Sequence, residues 1–299
     1  LLFYRLLRAL RPTTHLLLVG DVDQLPSVGA GNVLRDVIAS DQAHVTRLTQ
    51  IFRQSQQSQI IVNAHRINQG EMPHTRNPEG SDFYFFNIET PDEAAEMVVD
   101  VVTQRLPSKF GFDPRTQVQA IAPMYRGPIG VDALNAALQK VLNPSRADIA
   151  QGHINGQLYR LGDRIMQTKN NYELDVFNGD MGTIRGMELE AGAVGRPQIS
   201  MLRVEVDGRL LTYEDEALEQ IILAYCISTH RSQGSEYPVI VMPVMAQHYM
   251  MLQRNLLYTA ITRAKKMVVL VGTRKAIAMA VNNNKVAERF SGLLPRLLG

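Results

Sequence analysis

Apolar positions fall into two textures along the chain. Up to about residue 150, short apolar runs alternate with amphipathic stretches. They predict a helix over Leu1 to Leu10, a strand over His15 to Val19 and a helix from about Asn32 to Ala39. A strand over His44 to Leu48, a helix over Gln59 to Asn68 and a strand over Phe83 to Ile88 follow. Pro91 opens the next helix with Asp92 and Glu93 in its first turn, where carboxylates meet the positive end of the helix dipole. That helix should reach about Leu106. After it come the strand Val118 to Ala122 and a helix over Gly130 to Leu142, closed by the Asn143-Pro144 breaker. Strands separated by helices of this length predict crossovers and a mostly parallel sheet.

Between about Gln151 and Glu219 no amphipathic helix fits. Short β-prone segments (Gln157 to Gln167, Met181 to Met187, Leu202 to Val206, Arg209 to Tyr213) are separated by Asn178-Gly179-Asp180 and Asp207-Gly208. Such pairs supply the positive φ angles of tight hairpins. The segment reads as a small antiparallel barrel inserted into an α/β domain. The α/β texture then resumes, with strands over Ile221 to Ser228, Val239 to Val244 and Met267 to Gly272. Helices are expected over Leu252 to Thr262 and Arg274 to Val281.

The 299 residues carry 45% hydrophobic and 20% charged side chains, enough for a sizeable core without disulfides. This composition excludes a disordered chain or a mini-protein. No apolar run approaches the ~18 residues that span a bilayer, and Arg5 and Arg8 interrupt the opening LLFYRLLRAL, so no membrane partner is expected. The lone Cys226 excludes an internal disulfide and any multi-Cys zinc site, which fits a reducing, cytoplasmic setting. The net charge of +2 hides an uneven spread. Seven basic and no acidic residues lie between Tyr237 and Ala287, whereas Glu205 to Glu219 holds six acids and one Arg. The basic stretch favours a polyanion. Among the 31 basic residues 24 are Arg, whose planar fork suits phosphate recognition.

Some chemistry is absent from the sequence. No GxxxxGK[ST] loop occurs, so the chain cannot itself build the usual phosphate cradle. Gly29 and Gly31 begin a G-x-G, but Leu34 stands where the third glycine belongs. The histidines show no metal-ligand spacing, and no metal site is expected.

Four segments carry candidate chemistry. Leu16 to Pro26 (LLLVGDVDQLP) runs an apolar strand into Gly-Asp at a sheet edge where ligands of α/β folds bind, with Gln24 in reach of a terminal phosphate or attacking water. It reads equally as a buried strand ending in an Asp-rich turn. Leu48 to Gln54 (LTQIFRQ) offers Arg53, which a surface role would also explain. Ala224 to Glu236 (AYCISTHRSQGSE) packs hydroxyl, imidazole, guanidinium and amide groups directly after an apolar strand, a concentration suited to holding a nucleic-acid backbone. In Asn255 to Lys266 (NLLYTAITRAKK), Leu256, Leu257, Ala260 and Ile261 share a helical face and Arg263 stands near its basic end.

In order and spacing these segments resemble motifs III to VI of superfamily 1 helicases, most closely the RecD/TraA branch that includes the exodeoxyribonuclease V alpha subunit. APMYRG (Ala122 to Gly127), followed by Gly130-Val131 and Leu134-Asn135, is similar to a further DNA-contacting segment of that family. Arg231 stands where the branch usually has Lys. The resemblance implies RecA-like motor domains of the P-loop NTPase fold, here without the P-loop, and an inserted SH3-like β-barrel. It divides the chain into the C-terminal part of a first motor domain (1–44), a second motor domain (45–150 and 220–299) and the barrel (151–219). It gives catalytic roles to Gln24, Arg53 and Arg263, and nucleotide contact to Gly234 and Glu236. Contact with single-stranded DNA falls to Tyr125, Arg126, Thr229, His230 and Arg231. ATP and Mg2+ are expected only together with an N-terminal half that bears the P-loop and magnesium-binding carboxylates. Other exonuclease V subunits are candidate partners. The expected function is ATP-dependent, 5′→3′ DNA unwinding in repair and recombination, with little ATPase activity in the 299 residues alone. The alternative is a non-catalytic nucleic-acid-binding or interaction module.

Overall fold

The structure, a computed structural model, describes residues 2–26, 29, 31–48, 58–192, 196–284 and 291–299. α1 (Leu2–Ala9) and α2 (Val33–Ala39) precede α3 (Gln59–Gln69), β1 (Phe83–Asn87), α4 (Pro91–Asp100), α5 (Leu106–Phe110), β2 (Val118–Ala122) and α6 (Val131–Leu142). Seven strands follow: β3 (Gln151–Ile154), β4 (Gln157–Arg160), β5 (Arg164–Gln167), β6 (Met181–Ala191), β7 (Pro197–Val206), β8 (Arg209–Glu214) and β9 (Ile221–Leu223). β10 (Cys226–Ser228), β11 (Tyr237–Val244), α7 (Arg254–Ile261), β12 (Ala264–Gly272), α8 (Arg274–Asn282) and α9 (Leu293–Leu298) complete the order.

β1, β12, β11, β2 and β10 form one parallel sheet in that spatial order. Its strands are apolar on both faces because helices cover both. Phe83, Phe85, Ile121, Ile240, Met242, Val268 and Leu270 pack with buried residues of α3, α7 and α8. The intervening Tyr84, Ala120, Ala122, Val239, Val241 and Val269 pack with α4, α5 and α6. Thr90 caps α4, accepting from the Glu93 amide and donating to its carboxylate, and Pro91 sits in the first turn as the sequence predicts. That helix outruns its expected end through a π-helical turn, Val101–Arg105, and continues to Phe110. Pro107 supplies the reason: it lacks an N–H and its ring crowds the preceding turn, which the wider π turn accommodates. At the rim, Gly272 has φ +151°, and a Cβ there would lie 2.0 Å from the Val244 carbonyl oxygen. Only glycine lets β11 and β12 end so close together.

The other sheet runs β4-β3-β7-β6-β5-β9, with β8 on β7, and is antiparallel apart from the β3–β7 bridge. It curls into a nearly closed barrel around Ile165, Ile184, Leu202, Val204 and Tyr213. The barrel expected from the hairpin signals is therefore present, with strand limits that differ. Gln157 to Gln167 divides into β4 and β5 at the Leu161-Gly162 turn, where φ is +90°. The expected single strand Ile221 to Ser228 divides at Ala224-Tyr225, so that β9 closes the barrel and β10 joins the parallel sheet. Periodicity alone cannot detect a strand that changes sheets. The outer edge of β10 is blunted by Asn135, whose amide donates to the Cys226 carbonyl (2.8 Å) and accepts from its N–H (2.9 Å).

Two expected strands do not form. His15 to Val19 and His44 to Leu48 have no strand assignment, and Leu17, Val19 and Leu48 are 84, 86 and 95% exposed. No described strand lies beside either segment, and an unpaired strand does not persist in water.

The junction between the two sheets is built on one buried carboxylate. Asp163, at 0% exposure, accepts from Gln139 Nε2 (2.6 Å), Asn143 Nδ2 (2.7 Å), the Arg160 amide (2.7 Å) and Tyr225 Oη (2.9 Å). These donors come from α6, the residue after it, β4 and the strand switch. We expect Asp163→Asn to lower unfolding free energy by about 3 kcal/mol in urea titration, because charged hydrogen bonds are lost and buried donors are left unpaired. By contrast, Arg185→Ala, which breaks the exposed Arg185–Glu205 pair, should cost under about 1 kcal/mol. Equal effects of the two substitutions would refute the assignment.

Candidate nucleotide and nucleic-acid interface

The parallel sheet has two rims, and the candidate residues divide between them. At the carboxyl rim, β2 runs into a turn in which the Gly130 amide donates to the Gly127 carbonyl (3.0 Å) and the Val131 amide to Met124 (2.9 Å). A Cβ on Gly130 would lie 2.3 Å from the Tyr125 carbonyl oxygen, so the turn needs glycine there. It presents Tyr125 and Arg126 to solvent. From neighbouring β10, Arg231 Nε donates to Tyr125 Oη (2.9 Å), and the Arg231 amide donates to Ser228 Oγ (3.4 Å). His230 stands exposed beside them, and partial desolvation keeps its pKa below the ordinary histidine value. Thr229 is different. It is fully buried, its hydroxyl has no partner among the described residues, and its carbonyl accepts from Ser232 Oγ (2.7 Å). In this conformation the Thr229 side chain is not at the surface.

At the amino rim, Arg263 follows α7 and immediately precedes β12, and Glu236 precedes β11. Arg263 Nη2 donates to Gln24 Oε1 (2.8 Å) and Nη1 to the Ser235 carbonyl (3.3 Å), while Nε is buried without a partner among the described residues. Gln24 and Arg263 are 239 residues apart in sequence, yet they form one pair. Gln24 Nε2 and Tyr258 Oη both donate to Asp21 Oδ2 at 3.0 Å. Burial and the Asp21 charge push the Tyr258 hydroxyl pKa up, so it stays a donor. The Leu25 amide donates to Thr259 Oγ1 (2.8 Å), and Gln233 Nε2 donates to the Leu25 carbonyl (2.7 Å). Glu236 pairs with Lys265 at 2.8 Å, which holds its carboxyl below the usual range. Gly234 has φ +81° in the turn that precedes Glu236. Arg53 lies outside the described residues.

Residues 229–236, a series of turns in which the Ser232 amide donates to the Ser228 carbonyl (3.1 Å) and the Gln233 amide to the His230 carbonyl (3.3 Å), thus return from the carboxyl rim to the amino rim. Sequence reasoning missed Asp21, Ser228, Gln233, Ser235, Tyr258 and Thr259, which hold the named residues in place. All six lie inside the segments it singled out.

The chain thus combines a parallel α/β sheet, an antiparallel barrel and a cluster of candidate residues at each rim of the sheet. Three family models match the chain: an AAA domain over residues 2–81, the ATP-dependent RecD-like DNA helicase SH3 domain over 134–196, and the UvrD-like helicase C-terminal domain over 223–271. The ATP-dependent RecD2 DNA helicase of Deinococcus radiodurans is 35% identical over 298 residues, covering 99% of this chain and 38% of that protein. RecBCD enzyme subunit RecD of Mycolicibacterium smegmatis is 28% identical over 305 residues, covering 98% of this chain and 51% of that protein. The chain therefore spans about half, or less, of the curated relatives it matches. A solved structure of two coordinating Pif1 helicases at forked duplex DNA is 19% identical, covers 86% of this chain and 61% of that one, and has a TM-score of 0.47. Over nearly its whole length the chain is thus similar to part of the RecD-type superfamily 1 helicases.

The carboxyl rim also holds a titration marker. His248, in the turn after β11, is 1% exposed with neither ring nitrogen partnered among the described residues, and burial pushes its pKa down to about 4. Between that value and the unfolded value near 6.5, the unfolded chain binds the extra proton. Stability should therefore rise with pH through this window, by up to about 3 kcal/mol. Urea unfolding at pH 4 to 7 should show the slope, and His248→Leu should flatten it. An unchanged slope in the variant would place the titration elsewhere.

Proposed function

We propose that the chain is the part of an ATP-dependent DNA helicase that grips single-stranded DNA and completes the ATP site from the side opposite the P-loop. One observation carries the reading: residues 228–236 touch both rims. Ser228 and Arg231 bond with the Tyr125 cluster, while Gln233 and Ser235 hold Leu25 and Arg263. Movement at one rim is thereby felt at the other.

In this reading residues 1–44 are the tail of a first motor domain, 45–150 with 220–299 the second, and 151–219 the barrel. The exposure of Leu17, Val19 and Leu48 supports pairing of those segments with strands outside the 299 residues. The residues present fit a phosphate. The described acceptors of Arg263 are two uncharged oxygens, which leaves its positive charge for an anion. ATP with Mg2+ supplies the phosphoryl group, and its cradle and metal-binding carboxylates come from the remainder of the helicase. Arg263 lays its guanidinium against the transferring charge, with Arg53 as a second cation. Gln24, bonded to Arg263 and Asp21, senses that displacement and passes it to Leu25 and Gln233. Gly234 and Glu236 line the nucleotide side. Tyr125, Arg126, His230 and Arg231 hold the strand by phosphate contact and stacking. Thr229 serves from beneath by shaping the loop. The inserted barrel supports the 5′→3′ direction, and the buried lone thiol suits the cytoplasm.

The 299-residue chain should bind single-stranded DNA with an affinity that falls steeply with salt, and should hydrolyse little ATP. In the helicase with its P-loop, Arg263→Ala should lower kcat by about 10³-fold or more while DNA binding persists. Robust hydrolysis that survives Arg263→Ala would overturn the reading.

A further inference from the structure

The strand order places the carboxyl ends of β10, β2 and β11 side by side. The first two carry Arg231 and the Tyr125-Arg126 pair. The third runs into the turn Ala246–His248, where the Tyr249 amide donates to the Ala246 carbonyl (3.0 Å) and the Met251 and Leu252 amides to His248 (2.7 and 3.0 Å). Met245, His248 and Leu252 are buried and fix the turn from below. Tyr249 and Met250 are consequently turned outward, 62 and 70% exposed. The turn abuts the Tyr125 loop, since a methyl on Gly127 would lie 3.6 Å from Gln247 Nε2. Tyr125 itself is 43% exposed, so two accessible tyrosines occupy adjoining loops of one rim.

An exposed aromatic side chain on the rim that also presents Tyr125, Arg126 and Arg231 suits a polyanion with flat faces more than a protein groove. Single-stranded nucleic acid has that character: phosphates for the cations and base faces for the rings. We propose that Tyr249 is a base-stacking platform, which extends the strand-binding surface from the ends of β10 and β2 onto the end of β11, with Met250 flanking the stacked base. The proposal rests on the single-strand reading above. It adds a contact that depends on the bases, in a turn outside the segments that suggested that reading.

The test is fluorescence anisotropy on the purified chain with a labelled oligothymidylate of about 12 nucleotides, within the span of known single-strand sites, and with an abasic strand of equal length. Tyr249→Ala should weaken oligothymidylate binding about tenfold. Tyr249→Phe should bind as the parent does, and both variants should hold the abasic strand as tightly as the parent. Thermal melting checks that the exposed substitution leaves the fold intact. Unchanged oligothymidylate affinity in Tyr249→Ala would overturn the platform and leave the single-strand reading standing. Equal losses on both strands would overturn stacking as the role. Failure of the parent chain to bind either strand would overturn the underlying reading and the platform with it.

Discussion

The Asp163 carboxylate is the point on which two unlike sheets meet. Burial pushes its pKa up, and the bonds from Asn143, Arg160, Gln139 and Tyr225 pull it down, with a net upward result. A buried acceptor of this kind is costly unless every lone pair is used, and here four donors use them. Since those donors come from α6, the barrel and the strand switch, the carboxylate fixes all three together. Gln119 adds to the same joint from the sheet side, donating to the Ala224 carbonyl at 3.2 Å. The orientation of β10 depends on this joint, and the loop that leaves β10 depends on β10.

That loop is where fold becomes proposed function. Ser228 to Glu236 runs between the rim that presents Tyr125 and Arg231 and the rim that presents Gln24 and Arg263. A coupling between two sites needs an element that both sites bias. On the proposed reading residues 228–236 are that element, bonded directly to the Tyr125 cluster at one end and to Leu25 and Arg263 at the other. The Gln24–Arg263 pair has the further property that neither side chain can move without releasing the other. On the proposed reading, the guanidinium's approach to phosphate is the event that alters Leu25 and, through Gln233, the strand-holding loop.

Much of this was legible in the sequence because the signals were local. Alternating apolar runs and helices gave the parallel sheet, Asn178-Gly179 and Asp207-Gly208 the hairpins, and Pro91 with Asp92 and Glu93 a capped helix. The motif segments marked where the rim clusters lie. What remained hidden was non-local. Nothing near Ile221 to Ser228 signals that the strand changes sheets, since both halves are equally apolar. The pairing of Gln24 with Arg263, and the burial of Thr229 beside exposed His230, are set by chain crossings that periodicity does not encode. His15 to Val19 and His44 to Leu48 have the composition of strands but lack neighbours, and pairing decides.

The central claim is that residues 228–236 connect the rim proposed to hold single-stranded DNA to the rim proposed to face phosphate. Its most direct test is the ratio of ATPase rate with saturating single-stranded DNA to the rate without it, measured for Gln233→Ala in the helicase that carries the P-loop. The account predicts that the ratio falls toward one while affinity for the strand changes little, because the bond to Leu25 is lost and the Tyr125 cluster is untouched. A ratio equal to that of the parent enzyme would contradict it.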